Sequence, residues 1–414
     1  MKQILTRNFI VGCSIVYAFV APLVGEEAIV TEPDWSKAIK SGPNLEVSTA
    51  VEEGISVLKI QDHQEKEKTP RRTSVITSWK APLAGQGISF EVKGDGSTFY
   101  GSLFLGDQAD VTTLGYEALF PLASTDWQKV TLRWEDFVQN YLPYNKNIVA
   151  RTSTLNLDPG KIRFLGFGTG CPLYKYYPSS YSLQVRNIRV EDKISPPPSL
   201  SYDQGLSRTI SKIKNKQPLK ILLLGDSITD LGGDHSYGYF CAKMLKETYG
   251  IESQVVNAGI GGQSVRYGTI ILPRSLRTMP DPDLVCIMFG ANDCKETEFR
   301  PDFTADTFRQ QISALIARVR QGTGGQADII LLSGVPRLDD QKRATVGVVE
   351  KIAPGIQLAA EQNQTGYVDT LSAYLGLEST FRATFFLDTI HQNPKGLEYI
   401  GTQLFQRIKA EMER

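Results

Sequence analysis

Histidine is scarce in this sequence: His63, His235 and His391 are the only three among 414 residues. So few imidazoles, none clustered and none in an HExxH pattern, give no basis for a catalytic metal. Cysteine is nearly as sparse. Of the five present, Cys13 falls in an N-terminal apolar run, and Cys171, Cys241, Cys286 and Cys294 show no CxxC spacing. A zinc site is therefore not expected; disulfides are permitted but not required, and buried free thiols are the expected state. Net charge is absent too, because 45 Lys+Arg balance 45 Asp+Glu. Without a basic field the chain has no general hold on nucleic acid or an anionic membrane. There is no P-loop and no other sign of a cofactor. No serine sits in a G-x-S-x-G elbow, which argues against an α/β-hydrolase lipase. Beyond residue 25 no apolar stretch reaches membrane-spanning length.

What is present begins with an address. Lys2 and Arg7 precede a mostly apolar run from Phe9 to Val24, and Gly25-Glu26-Glu27 follows. This is the layout of a secretory signal peptide over residues 1–25, with an uncleaved anchor as the alternative. The expected mature protein is exported, periplasmic or secreted, with no stable membrane insertion after cleavage. A length of 414 residues predicts two domains.

Residues 28–191 read as β-structure. Thr73–Trp79, Gly87–Val92, Ser97–Leu105 and Tyr181–Val185 alternate apolar and polar residues, punctuated by Gly85, Gly94-Asp95-Gly96 and Asp158-Pro-Gly160. Such punctuation predicts an antiparallel sandwich or jelly roll. All four tryptophans (Trp35, Trp79, Trp127, Trp134) lie here; aromatic rings stack on sugars, but they also fill sandwich cores. The alternation in Trp127–Phe137 sends Val130, Leu132 and Trp134 inward, whereas Tyr174–Pro178 is a candidate exposed aromatic loop. His63 belongs to a charged run expected to be a solvated loop. Residues 192–218, with Pro196-Pro-Pro198, read as a stiff linker.

From 219 to 414 the pattern changes to α/β. Apolar runs at Leu219–Leu224, Gln254–Asn257, Leu284–Phe289, Asp328–Ser333 and Gly366–Asp369 alternate with amphipathic runs at Gly238–Tyr249, Ala305–Arg320, Thr345–Gln362 and Lys395–Met412. Alternation of this kind predicts a doubly wound parallel sheet whose site lies at the carboxyl ends of its strands. Those ends carry chemistry. The first run stops in Gly225-Asp-Ser227, the second in Asn257-Ala-Gly-Ile-Gly-Gly262 and the third in Gly290-Ala-Asn-Asp293. Asp388-Thr-Ile-His391 comes just ahead of the last helical run. Ser227 alone reads equally well as a helix cap or a nucleophile. Together the segments supply a hydroxyl, an imidazole, a carboxylate and hydrogen-bond donors, the set used in acyl transfer by a serine enzyme.

In order and separation these segments resemble the four sequence blocks of SGNH (GDSL-type) hydrolases, over residues 219–412. The resemblance implies Ser227 as nucleophile and first oxyanion donor, Gly262 as second donor through its N–H, and Asn292 as third through its amide. Asp388 and His391 match the terminal DxxH pair, with Gln392 where many members have proline. Asp388 also reads as a turn-forming residue, and some members work with a serine–histidine pair alone. His235 is not expected to be the base, and Asp226 and Asp293 are expected to hold loops. The N-terminal half resembles galactose-binding-like jelly rolls, and the order of parts is that of carbohydrate esterase family two. The implied function is an exported serine esterase removing short acyl groups, acetyl first, from acylated carbohydrate or another small ester. The alternatives are an SGNH lipase or thioesterase for longer chains and a non-catalytic glycan-binding protein.

Overall fold

The structure, a computed structural model, describes residues 33–414 apart from 43, 64–72, 81–82, 98, 112–114, 141–156, 171–179, 196–204, 301–302, 339–343 and 346–348. The expected signal segment, the Tyr174–Pro178 loop, the proline triplet of the linker and two of the cysteines (Cys13, Cys171) lie outside the described residues.

Among the described residues the first half is built mainly from strands, with short 3₁₀ turns at Trp35–Lys37, Trp134–Asp136 and Pro159–Lys161. The strands are β1 Ile39–Ser41, β2 Leu45–Glu52, β3 Ile55–His63, β4 Thr73–Ser78, β5 Gly87–Lys93, β6 Tyr100–Gly106, β7 Tyr116–Pro121, β8 Gln128–Arg133, β9 Val138–Gln139, β10 Phe164–Thr169 and β11 Ser180–Glu191. Two antiparallel sheets result, in the orders β1-β4-β10-β6-β7-β9 and β2-β3-β11-β5-β8. Alternating residues of both close one core: Val75, Leu103 and Phe167 meet Leu58, Phe90 and Val185. Phe90 stands edge-on to Phe120 and to Phe167, each at 5.1 Å between centroids. Tryptophan serves this core: Trp35 and Trp79 are buried, and half-buried Trp134 packs on it while donating Nε1–H to the Gly85 carbonyl at 2.8 Å. His63 differs from expectation, being the exposed last residue of β3, whose ladder with β11 runs to that position.

The second half is α/β. In chain order it runs α1 Ser207–Lys214, β12 Leu219–Gly225, α2 Ser227–Asp230, α3 Tyr237–Tyr249, β13 Ser253–Asn257, α4 Val265–Thr278 and β14 Leu284–Met288. Then come α5 Glu296–Phe299, α6 Ala305–Gly322, β15 Asp328–Leu332, β16 Arg337–Leu338, β17 Ala344–Thr345, α7 Ala353–Gln362, β18 Gly366–Val368, α8 Thr370–Leu375, α9 Ser379–Ala383 and α10 Pro394–Met412. The main sheet is parallel throughout, in the order β13-β12-β14-β15-β18. Strand β12 shows why Ile221–Leu224 is apolar without a break. Ile221 and Leu223 join the core under α1, α3 and α10, whereas Leu222 and Leu224 join the one under α4, α6 and α7. Full burial of each such side chain contributes about 1.5–3 kcal/mol. Cys241, Cys286 and Cys294 are buried free thiols.

Three features depart from the sequence reading. Within 192–218, α1 is a helix fastened to the sheet: Arg208 and Lys212 each reach Asp283 at 2.7 Å, and Asp328 accepts the Thr209 N–H at 2.6 Å. The helix expected from Thr345 starts at Ala353, with proline in its first turn, while Ala344–Thr345 pairs with Arg337–Leu338. Finally, α4 is a helix that the sequence reading omits. It is buried on two sides, by the parallel sheet through Val265 and Leu272 and by the sandwich through Tyr267, Ile270 and Ile271. Pro273 stands inside it, and a proline within a run argues against a helix when only the sequence is read. Its sandwich-facing contacts include Tyr100 and Leu119 of β6 and β7, and Arg318 of α6 also forms an ion pair with Asp136.

Candidate active site

In chain order the main sheet's strands run second, first, third, fourth, fifth, so the topology reverses between β12 and β14. The crevice outside the carboxyl ends of that pair is where open α/β sheets place ligands. Ser227 follows β12 by two residues, and Asn292 follows β14 by four. Gly225 permits the sharp exit from β12, because a Cβ there would lie 2.0 Å from Thr229 Oγ1 and 2.6 Å from the Met288 carbonyl.

Asp226, not Ser227, caps the short helix α2. Its Oδ1 accepts the Ile228 N–H at 3.0 Å, and Oδ2 accepts the Ala291 N–H at 3.3 Å. One carboxyl thus ties the first strand end to the third and leaves the serine hydroxyl uncommitted to capping. Burial pushes the Asp226 pKa up to about 6 against the opposing effect of these N–H bonds.

The Ser227 hydroxyl instead faces His391, with Oγ 2.9 Å from Nε2. On the other side of the ring, Nδ1 is 2.7 Å from Asp388 Oδ2. The second carboxylate oxygen, Oδ1, accepts the backbone N–H of Ile390 at 2.6 Å and of His391 at 2.7 Å. Desolvation raises the Asp388 pKa, but the bonds from the His391 ring and the two N–H groups outweigh it and hold the carboxyl below its usual range. An ionised Asp388 keeps the ring proton on Nδ1, so Nε2 is free to accept from serine. The loop is braced at its ends. Leu387 N–H donates to the His391 carbonyl at 2.7 Å, Leu338 N–H to Thr389 at 2.8 Å, and Asn393 caps α10 through Lys395 N–H at 3.0 Å. Gln392 is buried, and its Nε2 donates to the Ile390 carbonyl at 3.1 Å; the side chain that replaces proline therefore stitches the loop to itself.

The second loop is fixed group by group. Ile260 N–H donates to the Gly225 carbonyl at 3.0 Å, Gly259 N–H to Asn257 Oδ1 at 2.9 Å, and Gly261 N–H to Asp230 Oδ2 at 3.0 Å. Gly262, at φ +74°, takes the backbone where glycine has no Cβ penalty. Its N–H and that of Ser227 donate to no protein acceptor among the described residues. The Asn292 amide donates one hydrogen to the Gln263 carbonyl at 3.0 Å, and a second remains on the same nitrogen. Beneath this loop Asp293 Oδ1 accepts the Val265 N–H at 3.0 Å. Burial pushes the Asp293 pKa up to about 8, so the side chain is largely neutral at pH 7. Arg266 and Glu296 form a buried ion pair alongside, with Nη1 3.4 Å from Oε2 in the longer of two contacts.

Ser227, His391 and Asp388 thus form one hydrogen-bonded chain, and Gly262 and Asn292 stand on loops tied to the same strand ends. His235 is exposed at the end of a short 3₁₀ turn, and His63 is on the sandwich. The sequence reading placed Asp226 and Asp293 as loop holders without their partners, and it missed the part of Ile260. Among the described residues no group of three or more His, Cys, Asp or Glu side chains is arranged to hold a metal, and no helix is long and apolar enough to cross a membrane.

Residues 223–399 match the GDSL-like Lipase/Acylhydrolase family. The isoamyl acetate-hydrolyzing esterase 1 homolog of Bos taurus is 25% identical over 210 residues, covering 47% of this chain and 82% of its own. The Homo sapiens homolog is 23% identical over the same length, with the same coverage. Among solved structures, an acetylxylan esterase from Geobacillus stearothermophilus superposes with a TM-score of 0.38 at 21% identity, over 46% of this chain and 94% of that one. An α/β hydrolase from the metagenome of Lake Arreo gives 0.39 at 22%, over 46% and 95%. The C-terminal region of this chain, residues 223–399, carries a GDSL-like lipase/acylhydrolase domain.

Proposed function

We propose that this protein is an exported serine esterase that removes short acyl groups, acetyl first, from carbohydrate. The observation that carries the reading is the continuous chain from Ser227 Oγ through His391 to Asp388, at 2.9 and 2.7 Å. In the proposed reaction Nε2 takes the serine proton as Oγ attacks the ester carbonyl carbon. The tetrahedral oxyanion is met by the N–H groups of Ser227 and Gly262 and by the free amide hydrogen of Asn292. The imidazolium then gives its proton to the departing alcohol oxygen. Water, deprotonated by the same nitrogen, attacks the acyl-enzyme and releases the carboxylic acid. Asp388 stays ionised throughout and stabilises the imidazolium.

The acyl length draws support from the acetate ester in the relatives' name. The carbohydrate assignment draws on the β-sandwich preceding the hydrolase domain, an order of parts resembling carbohydrate esterase family two, and on the expected signal peptide at 1–25. The test is acetate release across a panel of acetylated polysaccharides and sialosides, with Ser227→Ala as the blank. Release from none of them would remove the carbohydrate reading.

A second reading has its own observation. Leu231 and Leu387 are 60% and 68% exposed, and each donates its backbone N–H to a site residue, to the Ser227 carbonyl at 2.9 Å and the His391 carbonyl at 2.7 Å. Two exposed leucines beside the nucleophile and base suit a longer acyl chain. A p-nitrophenyl ester series separates the two readings: a kcat/KM maximum at two carbons supports the deacetylase, and one at eight or more supports the lipase or thioesterase.

A further inference from the structure

The loop Ala258-Gly-Ile-Gly-Gly262 has one side chain larger than a methyl group, that of Ile260. Glycine on both sides of Ile260 leaves the loop free to take many conformations, so something must select one. Backbone hydrogen bonds supply part of the answer. The rest comes from the other half of the molecule. Ile260 is 1% exposed and packs in a cluster with Tyr100 and Leu119 of the sandwich and Tyr267, Ile270 and Ile271 of α4, and Val138 of β9 packs against that cluster. Tyr100 adds a directional bond, donating its hydroxyl hydrogen to the Pro273 carbonyl of α4 at 3.1 Å. The sandwich therefore shares one apolar cluster with the oxyanion loop's single anchorable side chain and with the helix that continues from it. Ile260 N–H bonds the Gly225 carbonyl at 3.0 Å, two residues before the nucleophile.

We infer that the N-terminal sandwich is a working part of the esterase, with Ile260, Leu119 and Tyr100 as positioning residues that hold the Gly262 N–H where the oxyanion forms. The inference rests on the proposed roles of Ser227 and Gly262. A donor displaced by about 1 Å costs up to about 100-fold in rate, and loss of a whole oxyanion donor costs about 100- to 1,000-fold. A loop loosened but still tethered by its backbone bonds falls at the low end of that range.

The full chain is assayed with p-nitrophenyl acetate and with phenylboronic acid, which forms a tetrahedral adduct with a serine hydroxyl and puts an oxygen where the oxyanion would sit. Ile260→Ala and Leu119→Ala should each lower kcat by about 10- to 100-fold with KM within about twofold, and raise the Ki of the boronic acid by a similar factor. Ile260→Val should recover most of both, and Tyr100→Phe should give a smaller loss in the same direction. Leu58→Ala, in the sandwich's own core, is the control for destabilisation: it should lower Tm and leave kcat and Ki in place. Should Ile260→Ala and Leu119→Ala lower Tm while kcat and Ki stay at the wild-type values, the sandwich is only a neighbour and the inference is overturned. Activity that survives Ser227→Ala would instead overturn the reading of the site itself.

Discussion

Replacing Asp388 by asparagine should harm catalysis more than replacing it by alanine, while harming stability less. Oδ1 of Asp388 holds two backbone N–H groups at 2.6 and 2.7 Å, and Oδ2 faces His391 Nδ1 at 2.7 Å. Asparagine has one carbonyl oxygen, and the two N–H donors will claim it. The amide nitrogen then faces Nδ1 and presents a hydrogen to it. The ring answers by moving its proton to Nε2, where it points at the Ser227 oxygen and can no longer accept from it. Alanine removes the carboxylate without imposing that tautomer, and since the Asp388 side chain is 54% exposed, water can take its place beside Nδ1. Loss of one hydrogen bond to a charged group, about 1.5–3 kcal/mol, corresponds to roughly 10- to 150-fold for Asp388→Ala. The enforced wrong tautomer brings Asp388→Asn to about 10⁴-fold, the size of this effect in the serine-protease triad. Stability runs the other way. Alanine forfeits two backbone bonds worth about 1 kcal/mol each, and asparagine keeps them. The assay is kcat for p-nitrophenyl acetate together with Tm for the three proteins. An Asp388→Asn enzyme at least as fast as Asp388→Ala would refute the reasoning.

The remaining expectations concern the loops around the nucleophile. Asn292→Ala should lower kcat about 100-fold or more with the fold intact, because among the described residues the side chain's hydrogen bond is to the Gln263 carbonyl; a loss under fivefold in steady-state assays would remove it from the oxyanion site. Neutral Asp293 gives stability a pH dependence. With its pKa raised from 3.8 to about 8, its contribution is full below pH 3.8 and falls by about 1.4 kcal/mol per unit as pH rises towards 8. Asp293→Asn keeps the oxygen that accepts the Val265 N–H and cannot ionise, so Tm measured from pH 5 to 8 should fall less steeply in the variant; parallel curves would contradict this. Glu296→Ala leaves the Arg266 guanidinium buried without its carboxylate and should cost about 3–5 kcal/mol in urea unfolding. A cost under 1 kcal/mol would show that the guanidinium is hydrated there.

What could be read from the sequence was local. Ile221–Leu224 is apolar without interruption because both faces of its strand are covered, and Asp388 and His391 are three residues apart because one tight loop must join carboxylate to ring. Each feature shows within a short window. The capping ambiguity at Ser227 could not be settled that way, since it turns on Asp226 reaching both Ile228 and Ala291, the second 65 residues away. Helix α4 was hidden because its interior Pro273 argues against a helix when only neighbours are considered. That Ile260 shares a cluster with Tyr100 and Leu119 leaves no trace in either segment alone, because each residue is an ordinary apolar member of its own run.

The central claim is that one hydroxyl, activated by His391, carries the reaction. Its most direct measurement is the site of covalent labelling by a fluorophosphonate, mapped by peptide mass spectrometry. The account predicts one phosphonyl group per chain, on Ser227, formed as activity is lost and absent in both Ser227→Ala and His391→Ala. A label on another residue, or full esterase activity in a chain lacking the Ser227 hydroxyl, would contradict it.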